Sequence, residues 1–574
     1  MLRSDMSQPS LDRLLSQLEL TRTDFGPAEG RGVVGLLNSL DSARFDDPGF
    51  LLRFHEVVLF LRAFPHNPTV LRTAKRVLNR FYKKVNALRE SGVDMTAFDT
   101  FEHAGIAGTT MEDTLSFEVA RWLVRRLPGK VEIAWETYEP GRELGTTGPR
   151  FIPLLEDDAF VEADTPWRRW IETAGGNKSA TPAWLIERFE RLSLPLQQRI
   201  ELYESLRIPL RWHLENSRIS RTRNWHTVRQ TFYHQSPLIA RSQVSLAEEL
   251  QRRPPSFIRL PVREGKRITD MIREVMLVRY RELYGTTLAD PASVVEAEVG
   301  RGVSIFLWSL PPEHRLPLRA YVAGFTLKNG IPINYIEAIG LCEWMEVGFN
   351  TFYTFRGGEA GWIYSQVLRC LCAWMGTTVV SVYPYQLGHD NEEAIQSGAF
   401  WFYRKLGFRP ARHDLLKLVE REEEKIAGDA KYHTPVRTLK RLAAEHVFYE
   451  LPGAEVGVWD RFSTRSIGLG VNHHMASKFG GDSDRMRAAA RRALERALAV
   501  STSSWAPSEK TAFDNFALVL TTLPDLEEWS KQEKKNLLRV IRVKSAPDEL
   551  QFLHLTQQHY RLRRAVISLG SAAE

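Results

Sequence analysis

The chain predicts an α/β fold: a mixed sheet in its middle third, set between two mainly helical regions. Three observations carry that prediction. Asn329-Gly330 separates two apolar runs, Tyr321–Lys328 and Ile331–Ile339, and Asn-Gly is the strongest short hairpin signal. The segments 361–375 and 396–406 read as helices on either side of a Val- and Tyr-rich run, Thr377–Tyr385, so a strand–helix–strand crossover follows the hairpin. Outside about 254–412, apolar residues recur at helical spacing.

The N-terminal region, 1–253, opens its elements with recognisable caps. Asp47-Pro48 starts a helix whose apolar face runs Leu51, Phe54, Val58, Leu61 and which Pro65 ends. Asn67-Pro68 starts the next, with Leu71, Ala74, Leu78, Phe81, Val85 and Leu88 in period and Gly92 after it. A further helix is expected over Thr114 to Leu127. Val131, Ile133 and Trp135 alternate with Glu132 and Glu136, which predicts a half-buried strand over Lys130–Thr137. Helices follow near 182–192, 195–206 and 242–252.

Pro254-Pro255 cannot continue a helix and marks the expected boundary with the central domain, 254–412. That domain begins with an amphipathic helix carrying Ile268, Met271, Ile272, Val275, Met276 and Leu283, closed by Gly285. Val303–Trp308, the two hairpin runs and Glu346–Phe355 are the expected strands before the crossover. The C-terminal region, 413–574, is expected to be helical over 414–426, 435–446, 484–499, 525–542 and 547–566. No repeat or long low-complexity tract interrupts it.

At 574 residues the chain is too long for one core. Hydrophobic residues make up 43% and charged residues 26%, which excludes a disordered chain. The net charge of +7 is a mild bias toward an acidic partner. Cys342, Cys370 and Cys372 make an odd set on apolar stretches, the pattern of buried thiols in a reducing compartment and not of a secreted disulfide framework. No apolar run approaches the roughly 18 residues of a membrane span, and the opening MLRSDMSQPS lacks the apolar core of a signal peptide. A cytoplasmic protein without membrane partners is expected.

Two segments look like sites. Arg356-Gly-Gly-Glu-Ala-Gly361 lies between a strand and a helix. Its glycines let the backbone approach a ligand, and the free amides of the following helix can hold a phosphate. Arg356, Gly357, Gly358, Ala360 and Gly361 are therefore candidate anion-binding residues, Arg356 through a charge-assisted bond. Ser397–Pro410 is an aromatic-rich helix that stops at Leu406-Gly407, with Phe408 turning back to the core. Most of its aromatics read as core; Tyr403 carries a hydroxyl that needs a partner or a cleft.

A Gly-rich turn after a strand, then helix, strand and a helix reading Ala399-x-x-Phe402-Tyr403-x-Lys405-Leu406-Gly407-Phe408, resembles the GNAT superfamily of acyl-CoA-dependent N-acyltransferases. The resemblance covers the central domain alone. It implies acyl transfer from an acyl-CoA, acetyl-CoA first, to an amine acceptor without a metal. It implies that the pyrophosphate rests on the turn amides and that two splayed strands, Glu346–Phe355 and Thr377–Tyr385, receive the pantetheine arm. Tyr403 corresponds to the family's general acid. Glu337, Glu343 and Glu346 are the candidate bases, Glu346 first because it enters the strand nearest the turn. The turn departs from the family pattern at Glu359, which stands where a central Gly belongs if Arg356 is the first position. Gln396 replaces the Asn that commonly opens the last motif.

A second expectation is therefore a GNAT-like fold that binds or scaffolds without catalysis, with nucleic acid as one partner class through Arg487, Arg491, Arg492 and the Arg539–Lys544 run. His55-Glu56 begins a metalloprotease-like pattern, but Leu59 occupies the place of the second His. His473-His474 sits in a Gly-rich stretch, Gly468 to Gly481, expected as a loop between helices. Neither supports a metal site.

Overall fold

The computed structural model describes residues 8–139, 147–150 and 167–571. It divides into two compact units: Met1–Pro237 with Asp270–Thr287, and Leu238–Thr269 with Leu288–Glu574.

The first unit is mainly helical. Helix Pro48–Ala63 is capped by Asp47, whose carboxylate accepts from Phe50 N at 3.0 Å. Helix Pro68–Glu90 is capped by Asn67, which accepts from the amides of Thr69 and Val70 at 2.9 Å. Both start where the cap-and-proline signals predict. The expected helix at Thr114–Leu127 runs Phe117–Arg126 with Ser116 as its cap.

Strands β1 (Thr110–Thr114), β2 (Val131–Ile133) and β3 (Pro209–His213) form an antiparallel sheet in the order β1-β3-β2. The strand expected over Lys130–Thr137 thus shortens to three residues. Trp212, Phe117, Phe189 and Tyr203 are the largest side chains of the core beside it. His55 is fully buried, and its ring nitrogens lie 3.1 Å from Glu56 Oε1 and 2.9 Å from Thr222 Oγ1. Both of its nitrogens are thus used inside the fold.

The second unit is built on a nine-stranded mixed sheet of order β11-β12-β10-β9-β8-β7-β6-β5-β4. Its strands are β4 (Ile258–Arg259), β5 (Val295–Gly300), β6 (Val303–Ser309), β7 (Ala320–Lys328), β8 (Ile331–Leu341), β9 (Trp344–Thr351), β10 (Val379–Val382), β11 (Arg409–Pro410) and β12 (Val447–Glu450). Every neighbouring pair is antiparallel except β9 and β10, which are parallel and joined through helix Ala360–Met375. The β7–β8 turn has φ of 48° at Asn329 and 78° at Gly330. Positive φ at both central positions is what an Asn-Gly hairpin turn requires.

Several elements differ from expectation. β5 and β12 were not anticipated: β5 is short and carries two glutamates among six residues, and β12 is a four-residue strand placed just after the helix expected over 435–446. Because β12 inserts between β10 and β11, the sheet continues past residue 412 and the expected 412/413 boundary falls inside it. The amphipathic helix runs Val262–Leu277, not to Gly285, and the chain turns at Tyr280 with φ of 53°. The 396–406 helix is two pieces, Glu392–Gln396 and Ala399–Arg404, broken at Gly398 with φ of 67°. Gly468–Gly481 is not a loop. Thr464–Phe479 is a helix, capped by Ser463 and closed by Gly480 in the left-handed region, and His473 and His474 lie on it.

One face of the central strands is closed by helices. A Cβ on Gly340 would lie 2.8 Å from Met375 Cε and 3.0 Å from Leu553 Cδ2. The crossover helix and the C-terminal helix Glu549–Gln557 thus press on the same face of β8.

Candidate functional site

β9 leads through a 3-10 turn, Tyr353–Phe355, into Arg356–Gly361 and then the crossover helix. Within the turn Gly358 N donates to Phe355 O at 2.9 Å, and Ile363 N donates to Glu359 O at 2.9 Å. The amides of Gly357, Glu359, Ala360, Gly361 and Trp362 meet no acceptor among the described residues. The last four are the donors that the start of any helix leaves unpaired, and Gly357 adds one from the turn before it. Arg356 and Gly357 are exposed, Gly358 and Ala360 half-buried, and Gly361 buried. Gly361 packs closely on Arg241: a Cβ there would lie 3.0 Å from Arg241 Cγ and 3.3 Å from Arg241 Cα.

Glu359 is the residue at which the turn departs from the family pattern, and its carboxylate points away from those amides. It is fully buried and accepts from Ile239 N at 3.1 Å and from Arg301 Nε at 3.2 Å and Nη2. Lys328 Nζ stands 3.6 Å away. Burial pulls the Lys328 ammonium down to about 7, with Glu359 opposing. Two cations thus neutralise the acid inside the unit, and it adds no exposed negative charge to the turn. Nothing in the sequence links residues 301, 328 and 359: the β6–β7 pairing sets Lys328 beside the start of β6, and the turn before the crossover helix brings Glu359 to them. Arg356 pairs with Glu393 and lies 5.7 Å over the Tyr353 ring.

The parallel strands separate beside this turn. β9 and β10 pair at Val379↔Trp344, Val380↔Met345 and Ser381↔Glu346, and no further. β9 continues to Thr351 on its β8 side alone, while Tyr383-Pro384 turns β10 into a short helix. Proline suits a first helical position, so the strand expected to reach Tyr385 stops at Val382. The sheet therefore forks at Glu346 and Ser381.

Alternation sends β9 side chains to opposite faces. Val347 and Phe349 are buried on one. Glu346, Gly348 and Asn350 are half-buried on the other, beside Glu337 and Ile339 of β8. Tyr403 belongs to the first face: its ring lies 5.5 Å from Tyr364 and 5.7 Å from Phe408, and Tyr364 lies 4.9 Å from Phe349. Tyr403 is buried, and desolvation pushes its phenol upward. The buried Tyr364 hydroxyl meets no partner among the described residues. Glu346 belongs to the second face. The two sequence-derived catalytic candidates thus flank the fork from opposite faces.

The three candidate bases have separate settings. Glu343 is held by Trp459 Nε1 at 2.8 Å and by Arg563 at 2.7 Å, a structural clamp. Glu337 accepts from the Tyr321 hydroxyl, and burial raises its carboxyl. Glu346 Oε2 lies 2.9 Å from His446 Nε2, with the side chains 20% and 31% exposed. His446 was missed by sequence reasoning, because it stands 100 residues from its partner at the start of an unanticipated strand.

The remaining candidates carry less chemistry. The three cysteines are buried and free, their thiols pushed up to about 12 by desolvation. No cluster of His, Cys, Asp or Glu suited to a metal occurs among the described residues, and among them no helix is long and apolar enough to cross a membrane. Arg491 and Arg561 are paired with Asp514 and Asp525, which lowers the net charge of the basic helices. Set beside family models, curated proteins and solved structures, the chain has no match in any of the three.

Proposed function

We propose that the central domain transfers an acyl group from an acyl-CoA, acetyl-CoA first, to an amine acceptor. The observation that carries this reading is the fork between β9 and β10 beside a turn with five unbonded amides. A thioester-bearing pantetheine arm is an extended chain of amides, and the unpaired edge of β9 beyond Glu346 offers it the backbone partners of a missing strand. The pyrophosphate would fit the turn because its amides are free and Glu359 is turned inward. Arg356 would exchange Glu393 for a phosphate oxygen.

The chain's own groups supply the rest. Amides of β9 past the fork would polarise the thioester carbonyl. Tyr403, on the aromatic face, would protonate the departing thiolate, and the half-open acidic face with Glu337 and Glu346 suits a cationic acceptor. A binding role without catalysis is favoured by one observation, the burial of Tyr403 among aromatic rings.

Calorimetric titration with acetyl-CoA, a longer acyl-CoA and free CoA tests the first reading. Saturable binding that Gly361→Trp abolishes is expected; absence of binding to all three overturns it. Transfer that falls in Tyr403→Phe while affinity holds separates catalysis from binding alone.

A further inference from the structure

His446 and Glu346 meet where β9 and β10 part. The contact joins β9 to the residue preceding β12, two strands that are not neighbours, since β10 lies between them. It is possible only because β10 ends at Val382, so the two side chains meet over its end on the half-open face. The Tyr383 ring stands edge-on to the imidazole at 5.3 Å and Phe448 flanks it at 6.2 Å. His446 Nδ1 meets no hydrogen-bond partner among the described residues.

We infer that His446 is the group that takes the proton from the acceptor, and that Glu346 is a positioning residue acting through it. This rests on the acyl-transfer reading and changes the role of Glu346 within it. A carboxylate accepting from Nε2–H fixes the tautomer in which Nδ1 carries the lone pair. That lone pair is then the available base at the fork. Nδ1 accepts a proton from the ammonium of the acceptor, and the freed amine nitrogen forms the C–N bond at the thioester carbonyl carbon. The C–S bond breaks, and its electron pair leaves on sulfur. Tyr403 gives its phenol proton to that sulfur and is reprotonated by the second amine proton, and the first leaves from His446 to solvent. The products are the amide, the free thiol and one proton.

The charged and titratable groups facing the pair come from each neighbouring element. They are Arg319 ahead of β7, which senses the Glu346 charge, Tyr383 after β10, and Glu337 with Tyr321 on the adjoining strands. Glu445, next to His446, is engaged by Arg412 at 3.3 Å.

The test uses the full chain, acetyl-CoA and a panel of primary amines. His446→Gln is expected to lower kcat by at least about 100-fold with acetyl-CoA affinity unchanged, and to remove the fall in rate toward acid pH. Glu346→Gln is expected to lower kcat less, again without a change in affinity. In a chain labelled with ring-15N histidine, the signals absent from His446→Gln identify His446; they should report a proton on Nε2, and Glu346→Gln should erase that preference. A wild-type proton on Nδ1, or a His446→Gln enzyme with wild-type kcat and pH profile, overturns the inference and leaves acyl transfer standing. Failure of the wild-type chain to bind acetyl-CoA overturns the functional reading and the inference with it.

Discussion

The two faces of β8 and β9 are made by the same strands and behave in opposite ways. On one, Ala338, Gly340, Val347 and Phe349 are buried beneath helices. On the other, Glu337, Ile339, Glu346, Gly348 and Asn350 stay half-open. Pleating alone guarantees that residues separate into two sets. It does not say which set will be covered. Covering one face completely gives the unit its core, and leaving the other open keeps the acid of Glu346 and the imidazole of His446 partly exposed. Stability and chemistry are thus divided across one sheet, which substitutions on either side can test.

The largest effect is expected on the closed face. Phe349 is 8% exposed and packs on Tyr364. Phe349→Ala should destabilise the unit by about 3–5 kcal/mol through the cavity it leaves, read as an earlier unfolding transition in urea. Glu359→Ala should cost a similar amount, about 3–5 kcal/mol, because it strands Lys328 and Arg301 without their carboxylate. A much smaller loss would mean that water or an anion replaces the carboxylate.

Lys328 sharpens the comparison through pH. Its folded value, about 7, lies below the ordinary 10.5, so between those values the unfolded chain binds more protons. Wild-type stability should therefore rise with pH from about 7 toward 10.5, by up to about 1.4 kcal/mol per pH unit. Lys328→Met should flatten that rise, as followed by thermal unfolding across the window.

At the turn, Gly361→Val should cost about 1–3 kcal/mol, since its side chain presses on Arg241, and should remove acetyl-CoA binding in calorimetry. The smallest stability effect belongs to the open face. Glu346→Gln should change stability by less than about 1 kcal/mol, because the pair is partly solvated, while lowering the turnover rate. If Glu346→Gln destabilised as much as Phe349→Ala, the division between the faces would be wrong.

The elements with local chemical signals were legible in the sequence. Asp47-Pro48 and Asn67-Pro68 start their helices at the expected residues, Asn329-Gly330 makes its hairpin, and the crossover helix begins within one residue of expectation. Each depends on groups a few positions apart. The Gly-rich stretch 468–481 misled, because glycine weakens a helix by only about 1 kcal/mol per residue and a Ser463 cap with a Gly480 stop is enough to frame one. β12 was missed for the complementary reason: Val447, Phe448 and Tyr449 make a run too short to show a period of its own.

The candidate site divides the same way. The turn and Tyr403 were picked out because they belong to contiguous motifs, and Glu346 because it opens the strand that leads to the turn. His446, the Arg301–Lys328–Glu359 cluster and the end of β10 at Val382 were not. By itself the sequence determined where caps, turns and alternation occur, since these follow from local sterics and hydrogen bonding. Tertiary structure alone decided which face is open, where the parallel strands part and which distant charges meet, because sheet pairing and burial act between residues that the chain keeps far apart.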